Sequence, residues 1–134
     1  MKLNINCMRD LLLYLEDWLV LTEELEYKGL GLYEIHQSGA LMKYTLPEIA
    51  YTISKMKEAG FLNAAIDYGS DCINIIEVTS LTYDGHQFLD TVRPQSTWDK
   101  IRSISEKTGL KSVKAIMEIA DILLPDSIKT AIHS

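Results

Sequence analysis

The sequence is poor in cysteine and proline and has no long apolar run. Its two cysteines in 134 residues, Cys7 and Cys72, lie far apart and make no metal-ligand spacing. They are expected to be free thiols in a reducing cytoplasm. No stretch approaches the ~18 consecutive apolar residues that suggest a membrane-spanning helix. The opening, MKLNINCMRD, carries Lys2 but no clean apolar run ending in small residues, so it does not read as a signal peptide. The phosphate-cradling G-x-x-x-x-G-K-[ST] and G-x-G-x-x-G patterns are missing, and so is the G-x-S-x-G nucleophile elbow. His36, His86 and His133 are isolated in sequence, and no carboxylate or cysteine partner is spaced to join them. His86 is expected to pack, hydrogen-bonded, at the edge of a helix. These absences predict no enzyme activity, no cofactor, no metal site and no small-molecule substrate.

What is present fits one soluble domain. The length suits a single domain with a sizeable core. Apolar residues make up 47% and charged residues 24%, which is ordinary soluble composition. The net charge of −6 is unevenly placed. Residues 1–92 hold six Lys/Arg against fourteen Asp/Glu, and residues 93–134 hold seven against five, so the body is acidic and the tail mildly basic. The group Glu23, Glu24, Glu26 reads as a solvated face, because no His or Cys is spaced to join it at a metal.

The stretch Leu81–Arg93, LTYDGHQFLDTVR, organises the rest. Thr82 is placed to cap a helix, along which Gly85, Phe88, Leu89 and Val92 recur at i, i+3, i+4 and i+7. Gly85 lowers helix propensity by about 1 kcal/mol against alanine. Its place in the stripe therefore predicts close approach to another helix. Upstream, a first helix is expected from a cap at Asn6 to about Leu19, with Met8, Leu11, Leu12, Leu15, Trp18 and Leu19 on one face. Residues 22–28 read as a loop. Leu30, Leu32, Tyr33 and Ile35 suggest a short strand. A helix over about 46–59 is capped by Thr45 with Glu48 as its capping-box partner, tolerates Pro47 in its first turn and stops at Gly60. Two strands, 61–68 and 73–79, flank a turn at Gly69-Ser70-Asp71. Downstream of Pro94 come a helix over about 97–107, capped by Ser96 or Thr97 and ended by Gly109, and a last helix from Ser112 to Leu124. A short terminal turn follows with Ile128 and Ile132.

This order predicts an α+β fold: a winged-helix-like domain over residues 1–93, with a helical C-terminal extension, residues 94–134, packed on it. Three stretches resemble a known family: MKLNINCMRDLLLYLE, TLPEIAYTISKMKEAGFL and LTYDGHQFLDTVRPQSTWDKI. Leu81-Thr82, Gly85-His86, Phe88-Leu89, Arg93 and Trp98 in combination carry it. The chain resembles an uncharacterised family of small bacterial and phage-encoded proteins, catalogued as a domain of unknown function, over nearly its whole length. The resemblance implies a winged-helix-like domain with a helical extension and supplies no catalytic residues. Members of that family often carry a histidine in the second helix where Tyr51 or Thr52 stands here, so no role for that histidine carries over. Residues 29–45 are also short and glycine-rich for a full helix before the second one.

Two functions are weighed. The helix before a wing commonly enters the DNA major groove. Here it offers Glu48, Tyr51, Ser54, Lys55 and Glu58, and the wing tip offers Asp67 and Asp71 with no Lys or Arg. Phosphate neutralisation supplies much of DNA affinity, so this surface favours a basic protein partner over a DNA-binding regulator. For the DNA reading, a dimer or the basic tail, with Lys100, Arg102, Lys107, Lys111 and Lys114, would have to offset that handicap. The last helix has apolar residues around most of its circumference. A single core needs one stripe; the main one is Val113, Ile116, Ala120 and Leu123, with Ile119 at one edge and Ile122 beyond it. Ile119 and Ile122 are therefore expected either against the terminal turn with Ile128 and Ile132 or at a homodimer contact.

Overall fold

A computed structural model of the chain describes residues 1–123. The expected terminal turn with Ile128 and Ile132 lies outside them, as do Leu124 and His133. The fold is α+β, with six helices and two small antiparallel sheets among the described residues.

The cap of helix α1 (Ile5–Trp18) is Asn4, two residues before the expected Asn6. Asn4 has extended backbone, and its side-chain oxygen accepts the N–H groups of Asn6 at 3.1 Å and Cys7 at 3.2 Å. Two orphan donors of the first turn are thereby satisfied. Ile5, Cys7, Met8, Leu11, Leu12 and Leu15 are buried, whereas Trp18, expected on the same face, is exposed where the helix ends. Residues 22–28, read as a loop, instead hold the turn and second strand of a hairpin made by β1 (Val20–Leu21) and β2 (Tyr27–Lys28).

The expected strand over 30–35 is only half right. Strand β3 (Leu30–Gly31) gives way at once to a five-residue helix, α2 (Leu32–His36). Leu32 and Ile35, three residues apart, lie about one helical turn apart rather than alternating across a strand. Glu34 accepts the Gly31 N–H at 3.3 Å and so caps the turn. Helix α3 (Leu46–Glu58) has its expected capping box: Thr45 Oγ1 accepts the Glu48 N–H at 3.2 Å, and Glu48 Oε1 accepts the Thr45 N–H at 3.2 Å. Gly60, at φ +83°, reverses the chain after it; that left-handed backbone is one glycine adopts without a Cβ clash.

The hairpin is β4 (Leu62–Tyr68) and β5 (Ile73–Leu81), in register from Leu62↔Leu81 to Tyr68↔Ile73 with two irregularities. Strand β3 adds to the other side of β5 through Leu30↔Val78 and Gly31↔Glu77, giving the order β3-β5-β4. Helix α4 (Tyr83–Val92) begins on the Thr82 cap, whose Oγ1 accepts the Gly85 N–H at 3.0 Å. Gly85 meets a backbone closely, as expected, but that backbone is no helix. A Cβ on Gly85 would collide with the carbonyl of Phe61, where α3 turns into β4. Thr82 N–H donates to the same oxygen at 3.0 Å, and Phe61 stacks on Phe88 with ring centroids 4.8 Å apart.

Helix α5 (Gln95–Thr108) begins directly after Pro94 instead of waiting for a Ser96 or Thr97 cap. Gly109 ends it at φ +74°. The Ser112 hydroxyl accepts the Ala115 N–H at 3.1 Å and opens α6 (Val113–Leu123). One continuous core joins α1, α3, the inner sheet face, α4, α5 and α6. Arg9 ties α1 to the end of α4. Its guanidinium donates to the carbonyls of Val92 at 2.9 Å and Arg93 at 2.6 Å and lies over the Trp98 ring. Arg93 makes a two-pronged pair with Glu16, at 2.8 and 2.6 Å.

Candidate interaction surfaces

The outer face of α3 is partly occupied by the chain itself. Besides its capping bonds, Glu48 accepts from Asn4 Nδ2 at 3.0 Å. The Asn4 and Thr45 bonds hold its carboxyl below the usual range, so Glu48 is a structural residue that ties the entry of α1 to the entry of α3. The Tyr51 hydroxyl donates to the Met1 carbonyl at 3.2 Å. Lys55 lies over the Tyr51 ring and pairs with Glu58 at 3.1 Å; that carboxylate raises the pKa of the ammonium. Ser54 is half-buried. Tyr51, Lys55 and Glu58 form one wall of an open groove of about 690 Å³, whose other walls include Lys2, Glu106 and Lys111. The sequence treated these α3 residues as a free face. The contacts with residues 1–4 are long-range, and no local pattern announces them.

The β4–β5 hairpin carries the other predicted residues. Asp67 and Asp71 are exposed and belong to no ion pair among the described residues. Beside them Tyr68 and Ile75 are 60% and 63% exposed. Cys72 is exposed in the connecting turn and Cys7 is buried beneath α3, so the two do not pair with each other. Burial pushes the Cys7 thiol up to about 11, against a hydrogen bond with Thr52.

The proposed dimer residues part company. Ile119 is 7% exposed and packed into the chain's own core, whereas Ile122 is 76% exposed. The stripe that α6 buries is Val113, Ile116, Ile119 and Ala120, with Met117 turned toward solvent. Ile119 is therefore corrected from a surface contact to a core residue. Helices α4 and α5 both pack against α6.

The histidines also separate. His36 Nε2 lies 3.1 Å from the Tyr44 carbonyl. His86, expected to be packed, is exposed on α4; Gly85 and Leu89 take the inward positions beside it. Among the described residues no three His, Cys, Asp or Glu side chains gather as metal ligands, and no helix is long and apolar enough to cross a membrane.

The family described as hypothetical protein (DUF2513) matches residues 2–111. The chain belongs to that family. In this DUF2513 chain the match spans α1 to α5, the segment containing every residue that carries the resemblance, and ends just before the Ser112 cap of α6. No curated protein and no solved structure gives a significant match.

The surface that sequence reading missed in this DUF2513 chain is the β1–β2 hairpin. Thr22 N–H donates to Glu26 O at 2.8 Å, and Leu25 N–H donates to Thr22 O at 2.9 Å. Glu23, Glu24 and Leu25 thus form a three-residue loop. Its last residue is left-handed, the usual geometry for that loop length. Leu25 takes this position at φ +65° and is the only non-glycine with positive φ among the described residues. Left-handed backbone costs an L-residue about 1–2 kcal/mol, which is why glycine or asparagine usually stands there. The signal in the sequence was Val20-Leu21-Thr22 facing Tyr27 across a polar tip. Two-residue strands are too short for periodicity to reveal, and the leucine hid the turn.

Proposed function

We propose that this DUF2513 chain is a non-catalytic regulatory protein of winged-helix type that works by binding another protein. The order helix, strand, helix, helix, hairpin over α1, β3, α2, α3, β4 and β5 supports the winged-helix reading. On it, α3 is the recognition-helix equivalent and β4–β5 the wing.

One observation carries the choice of a protein partner over DNA. No lysine or arginine occurs between Lys57 and Arg93, so the whole wing and α4 have no cation with which to neutralise phosphate. The wing offers Tyr68, Ile73, Ile75, Asp67 and Asp71 instead. A DNA-binding wing sits near phosphates, and counterion release there supplies much of the affinity. Apolar side chains among carboxylates suit a protein surface with the opposite charge, where complementarity speeds encounter.

The DNA reading keeps one observation in its favour: Lys2, Lys55 and Lys111 line one groove beside α3. Titrating the chain with random duplex DNA at physiological salt separates the two. The protein-partner reading expects binding weaker than the roughly 10⁻⁴–10⁻⁶ M of ordinary non-specific DNA binders. Micromolar or tighter binding that weakens steeply with salt reverses the choice.

A further inference from the structure

The β1–β2 hairpin displays more apolar surface than its own fold uses. Leu25 at its tip is 78% exposed. Trp18, Val20, Leu21 and Tyr27, along the same stretch, are also exposed. Leu25 does nothing for the domain that glycine would not do better. Its side chain meets solvent, and its backbone holds a conformation that glycine adopts freely. An exposed apolar side chain held in disfavoured backbone is a pointer to use by something outside the chain.

The charges around it say what that something is. Asp17, Glu23, Glu24 and Glu26 are exposed, and none of them is ion-paired among the described residues. No lysine or arginine occurs between Arg9 and Lys28. Leu25 is therefore an apolar tip set among unpaired carboxylates. Next to the end of α1, Tyr14, Trp18 and Glu34 line a shallow groove of about 360 Å³, which extends the same surface toward α2.

We infer that the β1–β2 hairpin is the chain's docking finger: Leu25 inserts into an apolar pocket of a partner protein whose rim carries lysine and arginine. The inference rests on the protein-binding reading above and adds a second surface, besides β4–β5, through which the chain engages a protein. Leu25 is the anchor, and the four carboxylates set the partner's charge and the salt dependence of binding. The wing is a separate surface of the same chain.

The test places a photo-crosslinking amino acid in the full chain at position 25, with parallel chains carrying it at position 75 on the wing and position 54 on α3, in cells of the organism that encodes it. A protein adduct is expected from position 25. That protein, once identified and purified, is expected to bind the wild-type chain less tightly as salt rises. Leu25→Gly is expected to weaken the complex at least tenfold while its melting temperature equals or exceeds that of the wild type. Glu23→Lys with Glu24→Lys is expected to weaken it further and to abolish the salt dependence.

Several results overturn the inference. An adduct from position 75 alone leaves the protein-binding reading standing and removes the finger. A second copy of the chain captured at position 25, or no protein captured there, also removes it. So does a Leu25→Gly variant that binds as well as wild type. A lowered melting temperature in Leu25→Gly shows that the leucine serves the fold. Nucleic acid captured from position 54, with no protein from any position, overturns both the finger and the reading beneath it.

Discussion

Gly85 is the most sharply placed glycine in the chain, and Gly85→Ala tests the packing of α4 against the α3–β4 junction. Helix propensity alone makes alanine the better residue by about 1 kcal/mol. The added methyl would sit inside contact distance of the Phe61 carbonyl oxygen, carbon and Cα. These are backbone atoms and cannot rotate away as a flexible side chain would. The carbonyl is also held by the Thr82 N–H at 3.0 Å, and the same residue stacks on Phe88. Relief requires α4 to slide off the junction. That carries an overpacking cost of about 1–3 kcal/mol and loosens a hydrogen bond worth about 0.5–1.5 kcal/mol. Set against the propensity gain, the net destabilisation is about 1–3 kcal/mol, or a melting temperature lower by roughly 4–12 °C for a domain of this size. Thermal unfolding followed by circular dichroism reads it. Gly39→Ala is the control, because a Cβ there meets nothing within 4 Å; it is expected within about 0.5 kcal/mol of wild type. A Gly85→Ala chain that melts at or above the wild-type temperature would refute the close approach.

Ile119→Ala is expected to cost about 2–4 kcal/mol as a core truncation, and Ile122→Ala less than about 0.5 kcal/mol; equal urea midpoints would return Ile119 to the surface. Glu16 is held below the ordinary carboxylate range by Arg93, so the unfolded chain binds its proton more readily than the folded one. The pair's contribution is complete above the ordinary value of 4.5 and is lost as pH falls through the lower folded value. Glu16→Gln is accordingly expected to flatten the acid limb of the stability profile, and an unchanged limb would deny the pair that role. Cys7 acts in the opposite sense: burial raises its thiol from 9.0 to about 11. The unfolded thiol ionises first, so stability contributed by the buried neutral form falls as pH rises from about 9 to 11; Cys7→Ser, measured across that range, is expected to remove this slope. In the native state a thiol reagent is expected to modify Cys72 promptly and Cys7 only on unfolding, and equal rates would contradict the burial of Cys7.

Local sequence determined the elements whose signals are complete within a few residues. The Thr45–Glu48 capping box, the Thr82 cap, the glycines at 60 and 109 and the stripe of Gly85, Phe88, Leu89 and Val92 each fix a helix end or face by short-range hydrogen bonding and periodicity. All are found as expected. Strands β4 and β5 were legible for the same reason, as two β-rich runs around a polar turn. The α+β class followed from the order of those pieces.

Tertiary structure decided what depends on partners distant in sequence. Glu48 and Tyr51 looked like a free recognition face until Asn4 and Met1 came across α3 to bond them. Ile119 looked like a second apolar surface until the folded chain buried it, with α4 and α5 packed against α6. Leu32 and Ile35 looked like strand residues, but only two residues of β3 pair with β5 before Gly31 and Glu34 turn the chain into a helix. A periodic pattern states that a face is apolar; which neighbour covers it is set by contacts the pattern does not contain. Leu25 is the reverse case, a residue whose identity argues against the turn that its neighbours' hydrogen bonds impose, and its exposure and its strain became visible only together in the folded chain.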